Sequence, residues 1–119
     1  DYDHYDKYGC GRWAVIRKSD SAFLGWCGLK FTPELKEYDI GFRFHKKFWN
    51  MGYATEAASA CIEWGFRNIE TYEIVGRAMS ANKASYHVLE KIGLKFHETR
   101  IEGENELLIY KIRKREKNL

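Results

Sequence analysis

Chemistry-bearing residues concentrate in two stretches. The first is Trp49-Asn50-Met51-Gly52-Tyr53-Ala54-Thr55-Glu56-Ala57. A glycine between a basic-aromatic turn, Phe44-His-Lys-Lys-Phe48, and a run of small residues reads as the opening of a helix. The first N–H groups of a helix have no intrahelical acceptor, and with the helix dipole they attract anions. Gly52 lets a phosphate approach the chain, so the backbone N–H groups of Gly52, Tyr53, Ala54 and Thr55 are candidate phosphate donors. An ordinary strand-to-helix bend would use the same glycine. Lys46 and Lys47 either add charge attraction or sit on a solvated turn. The second stretch is Asn82-Lys-Ala-Ser85, followed by Val88-Leu-Glu-Lys-Ile-Gly-Leu94. Asn82 suits a helix N-cap. Asp39 and Glu37 stand on a strand pattern, where one could act as a general base through water or both could simply be solvated. His45 is of a type that can carry protons but falls in a turn.

Hydrophobic periods predict the elements that must position these residues. Trp13 to Arg17 and Ala22 to Phe31 read as a strand pair around the Lys18-Ser-Asp-Ser21 turn. From Glu37 to Phe44, Tyr38, Ile40, Phe42 and Phe44 alternate with Asp39, Gly41 and Arg43, which predicts a third strand. Ala54, Ala58, Cys61, Ile62, Gly65, Phe66 and Ile69 recur at helical spacing, predicting the main helix over 52–68. A strand over 72–78 follows, then a second helix with Ala84, Val88 and Ile92 on one face and Gly93 as its stop. Leu94 to Arg100 and Glu106 to Arg113 complete the strands, and Lys114 to Leu119 reads as a solvated charged tail. The order β-β-β-α-β-α-β-β predicts an α/β or α+β domain with a mixed sheet, a single domain over 1–119. The glycine spacings of dinucleotide folds and of Walker loops are absent.

Bulk properties narrow the class. With 119 residues, 16% aromatics and one proline, the chain can bury a real core. A net charge of +3 is nearly balanced, which argues against a nucleic-acid partner. Cys10, Cys27 and Cys61 show neither a CxxC nor a metal spacing, which points to a reduced compartment and no metal. No apolar run or signal pattern suggests a membrane, so a cytoplasmic location is expected.

Order and motifs together resemble the GNAT superfamily of acyl-CoA-dependent N-acetyltransferases. Trp49-Asn-Met-Gly-Tyr-Ala-Thr-Glu-Ala57 is similar to the form W-G-x-G-Y-A-T-E-A of the family's pyrophosphate loop, with Asn50 in place of the first glycine. The second stretch is similar to N-x-x-S-x-x-V-L-E-K-x-G-F. The nearest subgroup resembles the ribosomal-protein N-terminal acetyltransferases. The resemblance implies a mostly antiparallel central sheet with crossover helices, and acetyl-CoA as co-substrate. It also implies direct attack by a primary amine, either a protein N-terminus or a small molecule, in a ternary complex. It assigns cofactor contacts to the loop Trp49, Asn50, Met51, Gly52, Tyr53, Ala54 and Thr55. Backbone groups of Phe42, Arg43 and Phe44 and the Asn82 amide are assigned to the pantetheine arm. Ser85 is assigned as hydrogen-bond donor to the leaving sulfur; Asp39 as general base follows from its place on the strand and not from the resemblance. Many members carry a tyrosine as acid four residues before the helix-ending glycine, where this chain has Leu89.

Two rival functions remain at this stage. A catalytically silent acyl-CoA-binding module would fit the Leu89 and Asn50 departures. An RNA-binding sheet would need exposed strand aromatics and a basic stripe. The resemblance also implies a preceding strand and two helices that this stretch does not contain. A longer natural protein, or self-association with Tyr2, Tyr5 and Tyr8 covering part of the exposed surface, is therefore expected.

Overall fold

Period-two alternation of apolar and polar residues builds the sheet, and registered partners share a face. The computed structural model describes residues 11–114. Tyr2, Tyr5, Tyr8 and Cys10, and the tail beyond Lys114, lie outside the described residues. The strands are β1 (Arg12–Ile16), β2 (Phe23–Thr32), β3 (Glu37–Phe44), β4 (Glu73–Met79), β5 (Lys95–Glu102) and β6 (Asn105–Arg113). Two α-helices, α1 (Tyr53–Asn68) and α2 (Lys83–Lys91), and a 3-10 turn at Lys46–Phe48 complete the described elements. The strands form one sheet in the order β1-β2-β3-β4-β6-β5. Among the described residues only β3 and β4 run parallel, joined by the α1 crossover. This is the mixed, mostly antiparallel α/β architecture expected from the sequence.

Register puts Cys27 opposite Phe42, Leu29 opposite Ile40, Ile40 opposite Gly76 and Gly76 opposite Tyr110. These residues define the face that the helices cover. From α1, Ala58, Ile62 and Gly65 are buried against it. Helix and sheet approach closely: a Cβ added at Gly65 would lie 2.7 Å from Leu29 Cδ1. Trp64 meets Trp13 edge-on, ring centroids 5.0 Å apart.

The second helix differs from its sequence pattern. Ala84, expected on the buried face, is exposed, and Leu89 is the buried residue at 1% exposure. Leu89 fills the space above Gly76, where an added Cβ would sit 2.6 Å from Leu89 Cδ2. Val88 and Ile92 flank it, partly buried against the same core. A nine-residue helix turns the side chain with the best socket inward, and the missing side chain at Gly76 makes that socket.

The feature that matters most for function is where pairing stops. The β2–β3 ladder continues from Thr32↔Glu37 to Gly25↔Phe44, but β3 meets β4 only at Asp39↔Val75 and Ile40↔Gly76. Beyond Ile40 the two parallel strands splay. The β4-facing backbone groups of Gly41 to Phe44 therefore have no strand partner among the described residues, and they border the gap where pairing ends.

Candidate functional site

The main helix opens beside that gap. Gly52 is the N-cap of α1, left-handed at φ 85°, and no side chain caps the helix start. Asn50 is left-handed too, at φ 63°. Two such residues within three positions swing the chain from a 3-10 turn at Lys46–Phe48 into α1. A Cβ built at Gly52 meets nothing within 4 Å, so the space before the first N–H groups is open. An uncapped sixteen-residue helix with open space at its start fits a phosphate.

Trp49 ties this loop to the gap. Its indole Nε1 donates to the Phe44 carbonyl at 2.9 Å, while its ring stays half exposed. That bond occupies one of the three β3 residues assigned to a pantetheine arm and leaves the backbone of Phe42 and Arg43 facing the splay. Phe44 and Phe48 are buried with Leu24, and Phe42 packs against the core. Phe42 and Phe44 of β3 are thus packing residues, as their alternation suggests. Asn50 and Met51 are exposed on the loop, and Lys46 and Lys47 are exposed on the turn.

Sequence reasoning missed Arg17. Its Nη1 donates to the Tyr53 hydroxyl at 3.0 Å, and its Nη2 meets Asp20 at 2.7 Å. The guanidinium carbon lies 5.3 Å from the Phe48 ring centroid. A permanent cation is thereby fixed to the first residue of α1. Its bond to Asp20 draws that carboxyl down to about 2. The only sequence signal was an arginine three residues before an aspartate in a turn, which reads as turn chemistry alone.

On α2, Asn82 is the N-cap, its Oδ1 accepting from the Ser85 N–H at 3.1 Å. The capping role uses the oxygen and leaves the amide Nδ2 without a partner among the described residues. Ser85 is half-buried in the first helical turn.

The two candidate bases part company. Glu37 accepts from Arg77 Nη2 at 3.3 Å and from Arg100 Nη2 at 3.1 Å, a clamp joining β3, β4 and β5. Asp39 instead lines a groove of about 430 Å³ with Arg12, Trp26, Lys30, Gly41 and Arg43. Burial pushes the Asp39 carboxyl above the ordinary range and Glu37 adds to this, while Arg77, 3.8 Å away, and Lys30 oppose it. Register places Asp39 on the sheet face opposite the helices, where β3 still pairs with β4, while Asn82 and Ser85 open the helix that follows β4.

The residues 2–95 match the model of the acetyltransferase (GNAT) domain. The chain belongs to the GNAT acetyltransferase family. It is 36% identical over 96 residues to YkkB of Bacillus subtilis, covering 77% of this chain and 55% of that one. It is 33% identical over 99 residues to the FsC-acetyl coenzyme A-N(2)-transacetylase of Aspergillus fumigatus, covering 76% of this chain and 41% of that one. The chain thus spans about half the length of these relatives. Among solved structures, a GNAT-family acetyltransferase from Bacillus anthracis superposes with a TM-score of 0.77 at 29% identity. That match covers 86% of this chain and 65% of the other. The GNAT fold and family inferred from the two motifs are therefore borne out.

Proposed function

We propose that this protein transfers an acetyl group from acetyl-CoA to a primary amine. The observation that carries the reading is the uncapped, open start of α1 at Gly52, set beside the unpaired β3 wall. The N–H groups of Gly52, Tyr53, Ala54 and Thr55 would hold the pyrophosphate. The backbone of Phe42 and Arg43 and the Asn82 amide would hold the pantetheine arm. Bound acetyl-CoA supplies the reactive thioester.

The remaining work falls to a few side chains. Asp39, reached through the groove, takes the proton of the incoming amine, directly or through water. Ser85 offers its hydroxyl hydrogen to the sulfur as negative charge grows there. A thiol titrates near 8.5, so a hydrogen bond is help enough for that leaving group. Free α-amines titrate at about 7.7–8.0 and lysine near 10.4, so a single carboxylate base favours an α-amine. A peptide N-terminus, in the manner of the ribosomal-protein subgroup, is the acceptor we favour over a lysine side chain. A small-molecule amine is the other class, in keeping with the relative named an N(2)-transacetylase. A cytoplasmic setting accords with the free thiols of Cys27 and Cys61.

One observation favours a second reading, a silent acyl-CoA-binding module. Leu89, 1% exposed on the inward face of α2, stands where many members carry a tyrosine as acid. Release of free CoA thiol from acetyl-CoA in the presence of peptide amines decides between the two. Amine-dependent release is expected. Binding of acetyl-CoA without release would establish the silent module instead.

A further inference from the structure

The fold brings together two cysteines that sequence separates by 34 positions. Cys27 on β2 and Cys61 on α1 share a hydrogen bond, Sγ to Sγ 3.3 Å. Both are free thiols, Cys27 buried and Cys61 half-buried. Their proximity follows from the close approach of α1 to the sheet. Gly65, one turn after Cys61, brings the helix against Leu29, which lies two residues beyond Cys27 on the same face. A disulfide needs about 2.05 Å between sulfurs, so closure asks the two sulfurs, now 3.3 Å apart, to move together.

We infer that Cys27 and Cys61 are a redox-active pair, closed to a disulfide by hydrogen peroxide and reopened by thiol reductants. The two sulfurs have unequal tasks. The contact between the two sulfurs lowers the Cys61 thiol, while that same contact and burial raise Cys27. Cys61 is also the more accessible, so it is the attacking sulfur. Its thiolate attacks one peroxide oxygen; the O–O bond breaks, the other oxygen leaves as water after taking a proton, and Cys61 becomes a sulfenic acid. Cys27 then attacks the Cys61 sulfur, giving up its proton, and the hydroxyl departs as a second water. Two thiols lose two electrons in total, and one peroxide becomes two waters. The product would staple the main helix to the strand whose register partner is Phe42, beside the gap. This inference stands independently of the acetyl-transfer reading.

Peptide mass spectrometry tests it on the whole chain. The protein is exposed to hydrogen peroxide, free thiols are alkylated, and the digest is read without reduction. A Cys27–Cys61 cross-link at least tenfold more abundant than either pairing with Cys10 is expected, lost on adding dithiothreitol. The oxidised parent should melt several degrees above the reduced one, because the cross-link limits the unfolded chain. Cys27→Ser should leave Cys61 trapped as a sulfenic acid that dimedone labels. Full alkylation of both thiols after peroxide, or cross-linking mainly through Cys10, would overturn the inference; neither result depends on a variant folding.

Discussion

Asp39 and Ser85 can be tested separately, because they act on opposite partners in the reaction. Burial first, and Glu37 second, raise the Asp39 carboxyl. As a base Asp39 must be ionised, so kcat/KM should fall as pH drops through a value above the ordinary ~3.9. Asp39→Asn should remove that acid limb from the pH–rate profile. Stability has its own sign. An acid raised in the folded state stabilises fully below its unfolded pKa, and this contribution is lost as pH rises through the folded value. Asp39→Asn should therefore melt no lower than the parent at neutral pH, and a lower melting temperature would show that its contact with Arg77 dominates. Ser85→Ala should lower kcat by about 1–2 kcal/mol with little change in acetyl-CoA affinity, since its bond strengthens with charge on sulfur. Steady-state kinetics beside binding titrations would show this, and equal turnover would return Ser85 to a helix-face role.

Among the elements, α2 shows how packing carries the site. Leu89 anchors the helix over Gly76, and the same helix presents Asn82 and Ser85. Leu89→Ala should cost about 2–5 kcal/mol in urea unfolding, typical for a buried leucine. In the folded fraction it should also weaken acetyl-CoA binding, because the Asn82 turn loses its seat. Loss of stability with unchanged affinity would mean that the turn is held by its cap alone. The helix start at Gly52, the Asn82 cap and the succession of strands and helices along the chain were legible in the sequence, because turn chemistry, capping and periodicity are local. The inward turn of Leu89 was not: it depends on a glycine thirteen residues earlier, on a different element. Arg17 was hidden for the same reason, as its partner Tyr53 is distant in sequence.

Over the whole molecule, the helices cover one sheet face, and the other carries charged pairs. Glu37 sits between Arg77 and Arg100, and Arg77 Nε is buried without a hydrogen-bond partner among the described residues. Glu37→Gln would leave two guanidinium groups short of a carboxylate and should cost about 1–3 kcal/mol by denaturant titration. No change would mark the clamp as solvated. The sequence showed Glu37 and Asp39 as equals on alternate positions of one strand. Only the fold separates them, through arginines from β4 and β5. The splay between β3 and β4 was equally invisible to the strand pattern, which runs unbroken to Phe44.

The central claim is that α1 begins at an acetyl-CoA phosphate site. Isothermal titration calorimetry of acetyl-CoA into the parent and into Gly52→Val, with the fold of each checked by circular dichroism, tests it most directly. Saturable binding to the parent is expected, with affinity at least tenfold weaker in the variant, about 1.4 kcal/mol, because the new side chain fills the open space before the helix. Equal affinity in a folded Gly52→Val protein, or no binding to the parent, would contradict the assignment.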